Sequence, residues 1–249
     1  MNETLRPEFY GPAWKEEDCI PHSIFVSQGD YPLKGLHYVL LALPRILEKY
    51  PDARVYVAGN SLVNYRKQKL KISAYGRYLR RLLGDGGMEE KVIFLGKMNA
   101  GQMRDRYLKS SLFLCPSALE NSPNSLGEAM LLGMPCVCAA VGGIPDIFTE
   151  GEDGILYKGF VMPDERGKAG AGTAGEKDEL GRIAEALAAA VMQMWEQPEK
   201  RRMFCGNAGR HAENTHNREK NYDRLLEVYR DIAGRMPGAE RNTGSGEGK

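Results

Sequence analysis

The amino-acid sequence predicts an α/β domain with a Rossmann-like parallel sheet that carries helices on both faces. Six short runs of strand-forming residues recur between residues 23 and 157, and each gap between them can hold a helix. Strands that alternate with helices in this way form parallel sheets. The chain has 249 residues, of which 42% are hydrophobic and 27% charged, so it can bury a full core.

The elements follow in order along the chain. The strands are predicted at 23–28, 54–59, 91–96, 112–117, 135–140 and 154–157. Apolar residues that return at helical spacing predict helices at 36–50 and 99–111. Three further helices are predicted after the last strand, in DELGRIAEALAAAVMQMWEQ, PEKRRMFCGNAGRHAE and NREKNYDRLLEVYRDIAG.

Three segments differ from the domain pattern. Residues 1–22 contain aromatic residues and prolines without a readable period, which predicts an extended, linker-like segment. The glycine-, alanine- and charge-rich residues 165–179 predict a flexible loop, and the polar residues 236–249 predict a disordered tail. The domain itself is therefore expected to span 23–235.

Composition and charge exclude several classes of protein. Lys and Arg number 34 against 33 Asp and Glu, so the net charge of +1 provides no general attraction for nucleic acid. The five cysteines and four histidines lack the spacing of zinc or redox sites, so we expect no metal. No apolar run approaches the ~20 residues of a membrane span, and the N-terminus lacks the apolar stretch of a signal peptide. We therefore expect a cytoplasmic protein.

One basic stretch has two interpretations. Residues 65–83 contain seven Lys and Arg and no acidic residue. Such a stretch is most often a solvated helix face. The alternative is a weak, peripheral contact with anionic lipid headgroups at the inner face of the membrane.

The stretch ALENSPNSLGEAMLL, residues 118–132, leads from a predicted strand into a helix and carries Glu120 and Glu128. Ser125 and Glu128 fit a capping box, in which each side chain pairs with a backbone N–H of the first turn. Pro123 allows an earlier start with Ser122 as the cap. Either start places a helix N-terminus after a strand, where backbone N–H groups and the helix dipole favour an anion such as phosphate.

Lys34 follows the first predicted strand, in GDYPLKGLH. Parallel sheets bind ligands beyond the carboxyl ends of their strands, so we expect Lys34, Glu120 and Glu128 in one cleft. Lysine adds a positive charge for a phosphate, and a carboxylate accepts hydrogen bonds from ribose hydroxyls. No G-x-G-x-x-G pattern follows the first predicted strand, and a P-loop pattern is absent. The adjacent Gly142 and Gly143 indicate a turn or a close approach of a ligand.

Two sequence blocks resemble a known family. ENSPNSLGEAMLLGMPCVCAAVGGIPDIFTEGEDGILY is similar to the E-x7-E block and glycine-rich segments of the retaining glycosyltransferases of family 4, glycosyl transferases group 1. IFVSQGDYPLKGLHYVLLAL is similar to that family's first strand, lysine loop and helix. The resemblance covers about residues 5–235, and it implies the C-terminal, donor-binding half of a two-domain GT-B fold.

By this resemblance the ligand is a nucleoside-diphosphate sugar, with no metal or other cofactor. Glu120 faces the transferred sugar and Lys34 neutralises the diphosphate, which makes them the implied catalytic residues. Glu128 binds the ribose, which is compatible with capping, and the amides of Ser125 and Leu126 cap the diphosphate oxygens. The remaining implied donor-binding residues are Asn124, Gln28, Gly29 and Met98.

The sequence departs from the family pattern in two ways. Gln28 stands where the family usually has an arginine, so the diphosphate loses a permanent charge. The 249 residues resemble the second domain only, so the acceptor domain is expected to be missing or separate, and this chain alone to be inactive. The alternatives are a non-catalytic sugar-nucleotide-binding module that acts with a partner chain, and an epimerase-like protein of the same fold.

The resemblance also implies a docking surface. Residues 1–22 correspond to the linker from the missing domain, and the last helix to the one that crosses back to it. We expect Phe9, Tyr10 and Trp14, with part of the last helix, to expose an apolar surface. The missing domain covers this surface, or a second copy of the chain does so in a homodimer.

Overall fold

The computed structural model describes residues 4–62, 72–160 and 173–235. Its strands are β1 (Ile20–Val26), β2 (Arg54–Ala58), β3 (Val92–Gly96), β4 (Ser110–Cys115), β5 (Cys136–Ala139) and β6 (Ile155–Tyr157). They form one sheet in the order β3-β2-β1-β4-β5-β6, and every pair of neighbours is parallel. The predicted Rossmann-like sheet is confirmed.

Helices pack around this sheet. They are α1 (Leu36–Lys49), α2 (Ala74–Asp85), α3 (Ala100–Leu108), α4 (Asn124–Leu131), α5 (Ile144–Ile147), α6 (Thr173–Glu196), α7 (Pro198–Thr215) and α8 (Arg218–Arg235). Every residue of β4 and β5 is buried, and successive side chains of a strand point to opposite faces. Both faces of the sheet centre are therefore covered, as a parallel sheet requires.

The segment before β1 folds onto the domain. Leu5 and Phe9 are buried, and the Phe9 ring packs edge-to-face against Tyr107. The indole N–H of Trp14 donates to the carbonyl of Ser110 at 2.8 Å. The expectation that these aromatic residues form an exposed surface is therefore wrong, because Phe9 and Trp14 find partners on their own domain.

The last helix differs in this respect. Several large apolar side chains of α8 are exposed by about half or more: Tyr222, Val228, Tyr229 and Ile232. The expected exposed apolar surface is thus confirmed for α8 alone.

Other predicted boundaries shift. Helix α6 begins at Thr173, inside the predicted loop over 165–179, because its Ala- and Glu-rich residues are good helix formers. Residues 165–172, the tail 236–249 and the first part of the basic stretch 65–83 lie outside the described residues. None of the helices in the described ranges has the length and apolar character needed to cross a bilayer.

Candidate functional site

A cavity of about 520 Å³ lies at the carboxyl ends of β1 and β4. These strands are neighbours at the centre of the sheet, and the chain leaves them in opposite directions, towards β2 and towards β5. Parallel α/β proteins bind ligands in the crevice at such a switch point. The lining comes from the loops after both strands, from the start of α4 and from the N-terminal segment, and its charged residues are Arg6, Lys34, Glu120 and Glu128.

Lys34 and Glu120 form an ion pair in this cavity. The ammonium Nζ lies 2.5 Å from Glu120 Oε1, and the Ser117 hydroxyl donates to the same oxygen at 2.8 Å. The Glu120 side chain is only 10% exposed. Two donors therefore orient a nearly buried carboxylate beside the cation that follows β1.

Backbone contacts hold the loop after β1 against the loop after β4. Gly35 has a φ of +72°, and a Cβ atom there would lie 1.8 Å from the carbonyl oxygen of Pro116. The amide of Ala118 donates to the carbonyl of Leu33 at 2.8 Å. These contacts flank Lys34 and so bring it next to Glu120.

The adjacent glycines after β5 support the Glu120 segment. The amide of Gly143 donates to the carbonyl of Glu120 at 3.0 Å. A Cβ atom would lie 1.8 Å from that carbonyl oxygen at Gly142, and 2.0 Å from the Asn121 carbonyl oxygen at Gly143. The two glycines thus allow a close approach of the Glu120 loop, instead of the approach of a ligand that the sequence left open.

The N-terminus of α4 differs from both predicted capping arrangements. The helix begins at Asn124, and its N-cap residue Pro123 makes no side-chain cap hydrogen bond. The amide of Leu126, expected to face the diphosphate, donates to the carbonyl of Pro123 at 2.9 Å. The capping box of Ser125 with Glu128 and the cap by Ser122 are therefore wrong. Glu128 lies beyond the first turn, where it meets a charged partner instead.

That partner is Arg6, from the N-terminal segment. Arg6 Nε lies 2.6 Å from Glu128 Oε1, and Nη2 lies 2.8 Å from Oε2. This bidentate pair raises the pKa of Arg6, so the guanidinium is permanently charged. The Glu128 side chain is 3% exposed and the Arg6 side chain 42%, so the pair joins a nearly buried carboxylate to a more accessible cation.

Tyr107, from α3, contacts the first turn of α4. Its hydroxyl donates to the carbonyl of Ser125 at 2.9 Å. Burial raises the pKa of the Tyr107 phenol, which keeps it protonated as a donor. Position and orientation of the α4 N-terminus therefore depend on a buried aromatic group that also contacts Phe9.

The structure brings most of the predicted site residues together. In addition to the charged groups, the cavity is lined by Gln28, Asn124 and Ser125. Leu126, Gly29 and Met98 are not among its lining residues. The buried Gly29 instead donates its amide to Ala58 and packs against Val57.

Two residues of the site were missed by the sequence analysis. Ser117 lies just after β4 and precedes Glu120 by three residues. Its closeness to Glu120 in the sequence could have identified it. Arg6 had no such signal, because 122 residues separate it from Glu128. Among the described residues, no group of three or more His, Cys, Asp or Glu side chains is placed to hold a metal ion.

Comparison with known sequences gives a family match. Residues 21–165, more than half of the chain, match the sequence model of the family described as glycosyl transferases group 1. An uncharacterized glycosyltransferase of Methanocaldococcus jannaschii is 30% identical over 132 residues, which are 53% of this chain and 30% of that protein. The match thus spans less than a third of the relative's length.

Solved structures share the fold. Anabaena HepE (Alr3699) in complex with UDP superposes with a TM-score of 0.63 at 21% identity, over 84% of this chain and 49% of HepE. The C-terminal domain of a glycosyl transferase group 1 family protein (LpcC) from Francisella tularensis superposes with a TM-score of 0.58 at 17% identity. That superposition covers 83% of this chain and 94% of the LpcC domain.

Proposed function

Because the chain belongs to the glycosyl transferases group 1 family, we propose that it is the donor-binding part of a retaining glycosyltransferase. The enzyme transfers a sugar from a nucleoside-diphosphate sugar to an acceptor. One observation carries the proposal: Lys34, Glu120 and Glu128 converge on one cavity at the switch point of the sheet. The fold relative HepE, which was crystallised with UDP and with UDP-glucose, supports the class of donor.

Each charged group has a role in this proposal. Lys34 and the N-terminal end of α4 offset the negative charge that develops on the diphosphate as it leaves, without a metal. Glu120 faces the sugar that is transferred. Glu128 accepts a ribose hydroxyl, since a carboxylate has about four acceptor positions and Arg6 occupies two of them.

The ribose role of Glu128 is tested with a nucleotide that lacks the ribose hydroxyls. Calorimetry compares the affinities of UDP and 2′,3′-dideoxyuridine diphosphate for the unchanged chain and for Glu128→Ala. The unchanged chain is expected to prefer UDP by about tenfold, the effect of a hydrogen bond to a charged group. Glu128→Ala is expected to bind both nucleotides with equal affinity. The two nucleotides contain the same diphosphate, so a change in diphosphate binding cancels in the ratio of their affinities.

Glu213→Ala is the matched control, since Glu213 is an exposed glutamate of α7 outside the cavity lining. It is expected to keep the full preference for UDP. An unchanged chain that does not distinguish the two nucleotides, or a Glu128→Ala variant that still does, would contradict the ribose role.

A further inference from the structure

The charges that line the cavity balance only because of Arg6. Of the four charged lining residues, Glu120 and Glu128 are negative and Lys34 and Arg6 positive. Without Arg6, two carboxylates would face one ammonium group, and the cavity would repel a diphosphate. The N-terminal segment, which lies outside the family match to residues 21–165, therefore removes the net negative charge of the lining.

The guanidinium of Arg6, which lines the cavity, has donors that its pair with Glu128 does not use. A guanidinium has five N–H donors in a planar fork, and the bidentate pair with Glu128 occupies Nε and one hydrogen of Nη2. Three N–H groups remain. Because the Arg6 side chain is 42% exposed and Glu128 only 3%, the cation is the more accessible member of the pair.

Contacts hold both the guanidinium of Arg6 and the residues next to it in place. The guanidinium carbon lies 4.9 Å from the centre of the buried Phe9 ring. The amide of the buried Leu5 donates to the Tyr10 hydroxyl, which in turn donates to the carbonyl of His216 at 2.7 Å. A guanidinium held in this way loses little conformational entropy when it binds an anion.

We propose that Arg6 is a donor-binding residue whose guanidinium, oriented by Glu128, binds the diphosphate of the nucleotide sugar beside Lys34. Glu128 is then also the positioning residue for Arg6. This inference rests on the proposed function, and it extends the donor site to the segment before β1. Arginine suits the role because its planar fork matches phosphate oxygens bidentately.

The experiment measures the affinities of UDP, inorganic pyrophosphate and uridine for the unchanged chain, Arg6→Gln and Arg6→Lys by calorimetry. Arg6→Gln is expected to lower the affinities of UDP and pyrophosphate by about tenfold or more, and to leave that of uridine unchanged. Arg6→Lys is expected to bind UDP and pyrophosphate with affinities between those of the unchanged chain and of Arg6→Gln, because lysine keeps the positive charge but lacks the planar fork of N–H donors. Arg202→Gln, whose arginine pairs with Glu199 within α7, is the control and should change none of the affinities.

The outcomes separate this inference from the proposed function. If the unchanged chain binds neither UDP nor pyrophosphate, both are overturned. If the unchanged chain binds them and Arg6→Gln leaves pyrophosphate affinity as it was, the inference alone is overturned. An increase in UDP and uridine affinity on Arg6→Gln would also overturn it, because Arg6 would then obstruct the ribose position. A loss of uridine affinity equal to that of UDP would indicate a structural role and would contradict the inference.

Discussion

At the scale of single residues, the candidate site consists of carboxylates that each have a cationic partner. Glu120 pairs with Lys34 and Glu128 with Arg6, and both carboxylates are nearly buried. An unpaired charge in such a place is costly, so each cation stabilises the carboxylate that it contacts. In the proposed function, the same two cations bind the diphosphate.

Removing the cation after β1 should weaken every diphosphate ligand. Lys34→Ala is expected to lower the affinities of UDP and inorganic pyrophosphate alike, by about tenfold or more, because the proposed role of the ammonium is to bind the diphosphate that both ligands contain. Titration calorimetry measures both. Lys97→Ala removes an exposed lysine just after β3, at the same edge of the sheet but outside the cavity lining, and should have no effect. A loss confined to UDP would contradict the assignment of Lys34 to the diphosphate.

Gly142 should tolerate no side chain. Gly142→Ala places a Cβ against the Glu120 carbonyl at a φ of +53°, and is expected to lower the free energy of unfolding by about 2 to 4 kcal/mol. Gly151→Ala is the matched control, since Gly151 has a φ of +74° and nothing within 4 Å, and should cost about 1 kcal/mol. Urea denaturation measures both. Equal losses would show that backbone conformation alone, and not contact with the Glu120 loop, requires glycine at position 142.

At the scale of elements, α1 and α2 meet around a histidine. The His37 ring lies among aromatic rings, with centroids 4.0 Å from Tyr38 and 5.7 Å from Tyr75, and its Nδ1 lies 3.3 Å from the Tyr75 hydroxyl. Burial lowers the pKa of His37 from its ordinary value of 6.5 to about 4. The His37 imidazole between these two helices is therefore neutral near pH 7.

This lowered pKa predicts a loss of stability in acid. Between pH 6.5 and 4 the unfolded chain binds a proton at His37 that the folded chain does not. The contribution of the neutral His37 to the free energy of unfolding is fully present above pH 6.5. It is lost as the pH falls, by about 2 kcal/mol at pH 5. Urea denaturation at pH 7.5 and 5 measures it. His37→Gln, which cannot titrate, should lose about 2 kcal/mol less than the unchanged chain between these pH values, and an equal loss would contradict the prediction.

At the scale of the whole molecule, the described residues form one parallel sheet with a cavity at its switch point, and a last helix with exposed apolar side chains. The match to HepE covers 49% of that protein, and the match to the LpcC C-terminal domain covers 94%. Transfer requires an acceptor hydroxyl held close to the anomeric carbon and a cleft that excludes water. In the proposed function, the described fold holds the donor and contributes no acceptor site.

We therefore expect the purified 249-residue chain to bind a nucleotide sugar without transferring the sugar at an appreciable rate. A radiolabelled-donor assay measures transfer with and without a candidate acceptor-binding domain added in trans. Restored transfer on addition would support the division of labour between two domains. Robust transfer by the chain alone would contradict it, and binding that never leads to transfer with any added domain would favour a non-catalytic module.

The class of the fold and the central residues of the candidate site could be predicted from the sequence alone. Periodicity and strand–helix alternation are local properties, so the parallel sheet could be predicted without knowledge of the packing. Lys34, Glu120 and Glu128 were found because each lies near the end of a predicted strand or the start of a helix. The rule that carboxyl ends of parallel strands meet at one edge then placed them together.

The contacts between residues that are distant in sequence became visible only in the folded chain. Arg6 and Glu128 are 122 residues apart, and no local pattern relates them. The contact of Gly142 with the Glu120 carbonyl and the burial of Phe9 likewise depend on how loops and segments pack after the sheet has formed. Local patterns encode the period and the ends of elements, whereas contacts between distant segments follow from shape, charge and burial across the whole fold.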